Sequence, residues 1–226
     1  MSFIISGDTH GMLDIGKIVA FFDEHEGEYT SEDYLIICGD VGVCGFSASE
    51  EAETRSIFRD LPVTTLFIDG NHENFEQLNS YGVDTWNGGK VHFVESKIIH
   101  LMRGQVYEID GTRFFTFGGA CSIDKMYRTE GISWFPEEMP NRKEYEEGWQ
   151  NLEKADFQVD YILTHSGPED VVAAMGYGEA DEGELRRYLQ NVADNTEFTA
   201  WYFGHFHEDT EVEDMFYCLY DDMVVL

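Results

Sequence analysis

Residues 2–11 read SFIISGDTHG: a short apolar, β-favouring run that stops abruptly at Gly7 and Asp8 and then offers His10. Such a run predicts a buried strand that delivers polar side chains at its C-terminal end. The next stretch, residues 12–26, carries Leu13, Ile15, Ile18, Val19 and Phe22 at helical spacing. Two further strands are predicted in the same style, DYLIICGD at 33–40 and PVTTLFIDGNHE at 62–73. Between them, residues 47–61 read as a helix, with Ser47 or Ser49 as the N-cap and acids in the first turn. Strand, helix, strand, helix, strand at this spacing indicates βαβ units and a parallel sheet, an α/β architecture. In such sheets functional side chains collect beyond the carboxyl ends of the strands.

Residues 89–120 change character, with short strands and a hairpin turn at Asp110-Gly111, and predict antiparallel structure in a second sheet or at its edge. Residues 121–149 open as an irregular, aromatic segment containing Lys125 and Arg128, after which Arg142 and Lys143 begin a helix. Long structured loops of this kind are more often functional than idle. Residues 159–168, VDYILTHSGP, predict a strand ending in His165, residues 182–195 a helix, and FTAWYFGHFH (198–207) a strand ending in two histidines. Alternation along that strand would place His205 and His207 on one side of the backbone. One or two closing strands are expected in residues 215–226. No linker, repeat or low-complexity stretch interrupts the chain, so residues 1–226 read as a single domain.

The 226 residues include 45 acids against 14 Lys and Arg, for a formal net charge of −31. That surface repels polyanions, so long duplex nucleic acid is not an expected partner. Cys38, Cys44, Cys121 and Cys218 have no metal-knuckle spacing, and they read as small buried hydrophobes in a reducing compartment. No secretory signal and no apolar run long enough to span a bilayer is present, which predicts a soluble cytoplasmic protein with no membrane partner.

The strand ends together supply Asp8, His10, Asp40, Asn71, His72, His165, His205 and His207. Singly, an Asp there is ordinarily a helix cap and a His a hydrogen-bonded core residue. Collected, they form the mixed imidazole and carboxylate donor set that two borderline divalent metals require. In order, GDTHG, the GD at 39–40, GNHE, the TH at 164–165 and GHFH resemble the five motifs of the calcineurin-like metallophosphoesterases, from Gly7 to His207. GGACSIDKMYRTEG and ILTHSGP are similar to segments of a subgroup of small bacterial and phage-borne members.

The resemblance implies two mixed β-sheets packed face to face and flanked by helices, a four-layer fold with a dinuclear site at one sheet edge. It implies that Asp8, His10 and His207 bind one metal, Asn71, His165 and His205 the other, and that Asp40 bridges them. The implied activity is hydrolysis of phosphate mono- or diesters of small molecules or nucleotides by a metal-bridging hydroxide, with His72 hydrogen-bonding a phosphate oxygen or protonating the leaving group. Mn, Fe, Zn, Ni and Co all suit these donors, with Mn the leading expectation. Many members read GDxxDRG in the second motif, where this chain has Val43 and Cys44 in place of the orienting Asp and the phosphate-binding Arg. Phosphate charge must then be met elsewhere, and Lys125 and Arg128 are the candidates. Two alternatives are a catalytically silent scaffold, which predicts missing ligands, and a Ser/Thr protein phosphatase, which the altered second motif disfavours. Oligomeric state is not legible in the sequence.

Overall fold

The computed structural model describes residues 1–45, 47–178 and 181–226. The opening run forms β1 (Phe3–Ser6), entirely buried, and a short 3₁₀ turn at Gly11–Leu13 leads into helix α1 (Gly16–Glu24). Then follow β2 (Tyr34–Ile37), α2 (Ala48–Asp60) and β3 (Thr64–Phe67). Ser47 occupies the cap position of α2, but its side chain makes no capping hydrogen bond; Glu50 and Glu51 fill the first turn as expected. A four-residue helix, α3 (Phe75–Leu78), capped by the Asn74 side chain, was not foreseen.

The antiparallel middle divides between two sheets. β4 (Val83–Trp86), β5 (Gly89–Glu95) and β6 (Ile98–Leu101) extend the first sheet, β6 running parallel to β3. β7 (Gln105–Ile109) and β8 (Thr112–Phe117) form the hairpin at Asp110-Gly111, where both turn residues have positive φ, and begin the second sheet.

Helix α4 (Arg142–Lys154) starts with a capping box between Asn141 and Glu144. β9 (Tyr161–Thr164), α5 (Glu169–Ala174), α6 (Gly183–Asn195) and β10 (Ala200–Phe203) follow, with β8, β9 and β10 parallel neighbours in the second sheet. Beyond β10, β12 (Phe216–Cys218) adds a further parallel strand and β11 (Thr210–Val212) an antiparallel edge, while β13 (Met223–Val225) crosses back to pair antiparallel with β1.

The sheet orders are β13-β1-β2-β3-β6-β5-β4 and β11-β12-β10-β9-β8-β7. Ile5, Ile36 and Leu66 of the first sheet pack against Tyr107, Phe114, Leu163 and Tyr202 of the second, which makes the central core a sandwich. Outside the first sheet, Ile18, Phe22 and Phe58 bring α1 and α2 onto Ile4, Leu35 and Phe67. Outside the second, Leu152, Val171, Leu185, Leu189 and Val192 cover Phe115, Ile162, Trp201 and Phe203. The result is the four-layer arrangement of helices, sheet, sheet and helices. All four cysteines are buried and none forms a disulfide. No helix among the described residues is long and apolar enough to cross a membrane.

Candidate metal centre

The C-terminal ends of β1, β2, β3, β9 and β10 converge, and each hands over its polar residues within a few positions of the last strand residue. His205 and His207 are not on the strand. β10 ends at Phe203, and both histidines have positive φ (69° and 52°) in the turn that follows. Strand alternation therefore does not set their directions; the turn does, and it sends them to different neighbours. His205 packs edge-on against His165, while His207 reaches Asp8 and stacks on Tyr220. His10 and Asp40 also adopt left-handed backbone (φ 42° and 50°). Such conformations persist in non-glycine residues where surrounding structure over-determines them.

Here the anchors are hydrogen bonds between motifs. The amides of Thr9 and His10 both donate to the Asp40 carbonyl, at 3.2 and 2.7 Å. The His72 amide donates to Asp40 Oδ1 at 2.7 Å, and the His205 amide to Asp8 Oδ1 at 2.9 Å. Three motif glycines provide the room. A Cβ on Gly39 would overlap the His165 ring, on Gly70 the Asp40 carboxylate, and on Gly204 the Asp8 carboxylate. Each Gly therefore admits the side chain of another motif.

With Oδ1 committed to backbone, each carboxylate turns its second oxygen inward. Asp40 Oδ2 lies 3.3 Å from His10 Nε2 and 3.4 Å from His165 Nε2, so it stands between two imidazoles. Asp8 Oδ2 is fully buried without a hydrogen bond; His207 Nε2 is 3.2 Å away. His165 Nδ1 donates to the Cys38 carbonyl at 2.7 Å and His10 Nδ1 to Asp14 Oδ2 at 3.0 Å, which leaves both Nε2 atoms facing the centre. Outer partners of this kind orient metal-binding imidazoles. Asn71 Oδ1 is 3.1 Å from His165 Nε2. Three overlapping groups have ligand atoms within 4.8 Å of one another: Asp8, His10 and His207; Asp8, Asp40 and His165; and His10, Asp40 and His72. The last group places His72 closer to the other candidate donors than the motif pattern implies.

Electrostatics point the same way. Burial opposes ionisation of Asp40 and Asp8, yet neighbouring histidines, His165 foremost, hold both carboxyls below the ordinary range. Burial likewise opposes protonation of His165 and His10, but the Asp40 carboxylate overcomes it and raises them to about 10 and about 9. His205, buried beside His165, is depressed to about 4. Among the described residues no Lys or Arg forms an ion pair with Asp8 or Asp40. Two buried carboxylates ringed by imidazoles, one oxygen orphaned, match the donor set a divalent cation takes.

The second-motif departure has a structural counterpart. Val43 and Cys44 are fully buried in the core outside the first sheet, packed with Phe58 and Val41. Arg128 instead comes in from the loop after β8, its guanidinium 3.1–3.4 Å from both ring nitrogens of His72 and 2.8 Å from Asp124. Burial and then this guanidinium hold His72 below its ordinary pKa. Lys125 does not line the cavity. Asp181 draws its ammonium away at 2.7 Å, and this acid lies too far along the chain for sequence to pair them. Beside His72 the cavity holds about 510 Å³, walled by Asp40, Asn71, Arg128, Tyr177, Arg186 and Phe206 among others. Asp14 on His10, Ser122 on Asn71 with Glu138 behind it, Glu182 3.9 Å from His205 and Tyr220 stacked on His207 support the site and are not legible in the sequence reading.

The sequence model of the family described as calcineurin-like phosphoesterase matches residues 1–209. The chain belongs to that family. No match is found among curated proteins by sequence. A solved structure assigned as a 5′-nucleotidase from Staphylococcus aureus, in complex with α-ketoglutarate, aligns with TM-score 0.56 at 11% identity, over 99% of this chain and 50% of that one. The sulfate thiohydrolase SoxB of Termus thermophilus, in complex with glycerol, aligns with TM-score 0.48 at 12% identity, over 97% of this chain and 51% of that one. The chain thus spans about half the length of each. At this identity the first likeness shows a shared fold, which matches the two-sheet, four-layer architecture.

Proposed function

We propose that residues 1–226 act as one metal-dependent phosphoesterase unit that hydrolyses phosphate mono- or diesters of small molecules or nucleotides. Asp8, His10 and His207 hold one divalent cation, Asn71, His165 and His205 a second, and Asp40 is shared between them; Mn is the first metal to try. The observation that carries this reading is Asp40 Oδ2, set between His10 Nε2 and His165 Nε2, one from each ligand group. When bound, the cations supply an activated water near neutral pH and stabilise charge on the phosphoryl oxygens.

The chain's own residues do the rest. Arg128, at the cavity wall, meets phosphate charge that the second motif no longer meets. Because burial and Arg128 keep His72 below its ordinary pKa, the ring is neutral near pH 7 and presents an N–H to a phosphoryl oxygen. An incoming phosphate's negative charge raises it towards the protonated form that can serve a leaving alkoxide. The cavity is sized for a small ester rather than a polymer, and the acidic exterior repels long polyanions. A silent scaffold would have lost ligands, whereas a metal-capable side chain stands at each of the seven candidate positions of the sequence.

The test is hydrolysis of a chromogenic phosphate monoester and diester by Mn-loaded protein, beside Asp40→Asn and His72→Ala. The expected result is metal-dependent turnover, abolished in Asp40→Asn and lowered about 10²–10⁴-fold in His72→Ala. Equal inactivity of wild type and Asp40→Asn with every divalent metal tried would overturn the reading.

A further inference from the structure

The Asn71 amide can meet the centre with its oxygen or with its NH₂ group, and only the oxygen can bind a cation. We propose that Ser122 and Glu138 are positioning residues that decide which, a proposal that rests on Asn71 being a ligand as above. Asn71 Nδ2 lies 3.1 Å from Ser122 Oγ, which lies 2.6 Å from Glu138 Oε2; the Ser122 amide donates to Glu138 Oε1 at 2.9 Å. All three side chains are at least nine-tenths buried.

A serine hydroxyl has one proton. Here the short bond to the carboxylate commits it to Glu138, so towards Asn71 the Ser122 oxygen has only lone pairs to offer. Only the NH₂ end of the amide can answer them, and Oδ1 is left facing His165 Nε2 at 3.1 Å. Glu138 is itself fixed from behind. Arg103 Nη2 donates to the Glu137 and Glu138 carbonyls at 2.9 and 3.1 Å, and the same guanidinium pairs with Asp69, two residues before Asn71. The relay thus ties the loop after β8 to the loop after β3.

The isosteric change Glu138→Gln reverses the relay. The Ser122 amide selects the Gln carbonyl at the Oε1 position, which puts NH₂ at the other. That NH₂ donates to Ser122 Oγ, the hydroxyl proton turns towards Asn71, and the amide must rotate to accept it. Its NH₂ then faces the centre. Ser122→Ala removes the hydroxyl without driving rotation.

Two readouts test this. In metal-free protein, nuclear Overhauser contacts place the Asn71 Hδ2 protons near the Ser122 Hβ protons in wild type, and near the His165 ring in Glu138→Gln. In calorimetric titration with Mn²⁺, wild type takes two equivalents. Glu138→Gln weakens one of them about 10–100-fold and leaves the other unchanged. Ser122→Ala weakens the same equivalent less, and adding Glu138→Gln to it produces little further loss. Unchanged Asn71 contacts in Glu138→Gln, or unchanged affinity at both equivalents, overturns the relay. If Glu138→Gln does not fold, Ser122→Ala decides alone, since unaltered Mn²⁺ affinity there rejects the proposal. Fewer than two equivalents in wild type, with the Asn71 contacts as expected, instead defeats the dinuclear reading and leaves the relay standing on its own evidence.

Discussion

His165 Nδ1 donates to the Cys38 carbonyl at 2.7 Å, and this bond turns Nε2 of the same ring to within 3.4 Å of Asp40 Oδ2. The loop after β2 thereby orients a histidine delivered by β9 of the other sheet, and the ring spans the two sheets at their common edge.

One consequence is proton release. In the metal-free protein His10 and His165 titrate at about 9 and about 10, above the ordinary 6.5, because the Asp40 carboxylate outweighs burial. A cation that takes their Nε2 lone pairs must displace both protons. At pH 7.5 the binding heat will vary with buffer ionisation enthalpy, and apparent Mn²⁺ affinity will rise with pH up to that range. The raised values also mean that, without metal, the two rings contribute stability fully below about pH 6.5 and lose it as pH climbs through 9 and 10. Buffer-independent heats would contradict this account.

Arg128→Ala should lower kcat/KM for the preferred phosphate ester about 10–100-fold, the size of a lost hydrogen bond to a charged group. The same change removes a cation from beside His72, so that ring's pKa should move up, visible in its Cε1–H chemical shift against pH. Unchanged kcat and KM would take Arg128 out of the substrate site.

Gly70→Ala tests the packing of motif against motif. Its Cβ would overlap the Asp40 carboxylate and backbone nitrogen, so Asp40 must move. Metal stoichiometry by elemental analysis should fall below that of wild type while the far-ultraviolet circular dichroism stays native. Full metal content in this variant would show that the glycine is not required for room.

Behind the site, Arg103 and Asp69 form a buried ion pair, with His100 on the second Asp69 oxygen at 3.1 Å. Burial opposes ionisation of Asp69, but Arg103 and His100 hold its carboxyl far below the ordinary range. A depressed carboxyl contributes stability above about pH 3.8 and loses it as pH falls below that value. Arg103→Met strands the carboxylate, and a cost of about 3–5 kcal/mol in urea unfolding is expected. The loss of stability below about pH 3.8 should be shallower in the variant, since Asp69 then loses its depressed pKa; an unchanged slope would exclude Asp69 as its source.

Much of this arrangement is legible in the sequence. Strands β1, β2, β3, β9 and β10 announce themselves as apolar runs that stop at Gly-Asp, Gly-Asn, Thr-His or Gly-His, because a buried strand tolerates polar groups only where it leaves the core. Arg128 was named from its place in an irregular, aromatic loop, and it reaches His72. Its neighbour Lys125 was named on the same ground but is captured by Asp181, a pairing across 56 residues that no local pattern encodes. Strand alternation does not give the directions of His205 and His207, because left-handed backbone begins at His205, two residues after β10 ends, and such turns in non-glycine residues leave no periodic trace.

By itself the sequence indicated the main strands and helices and, from where polarity interrupts the apolar runs, the candidate donor residues; the two-sheet architecture and the assignment of those donors to metals were what the family resemblance implied. Tertiary structure alone decided which oxygen of Asp8 and Asp40 faces inward, which nitrogen of His10 and His165 is free, and that Ser122 and Glu138 stand behind Asn71. Those choices depend on hydrogen bonds between segments far apart in the chain. A donor finds its acceptor only when the sheets have brought the loops together.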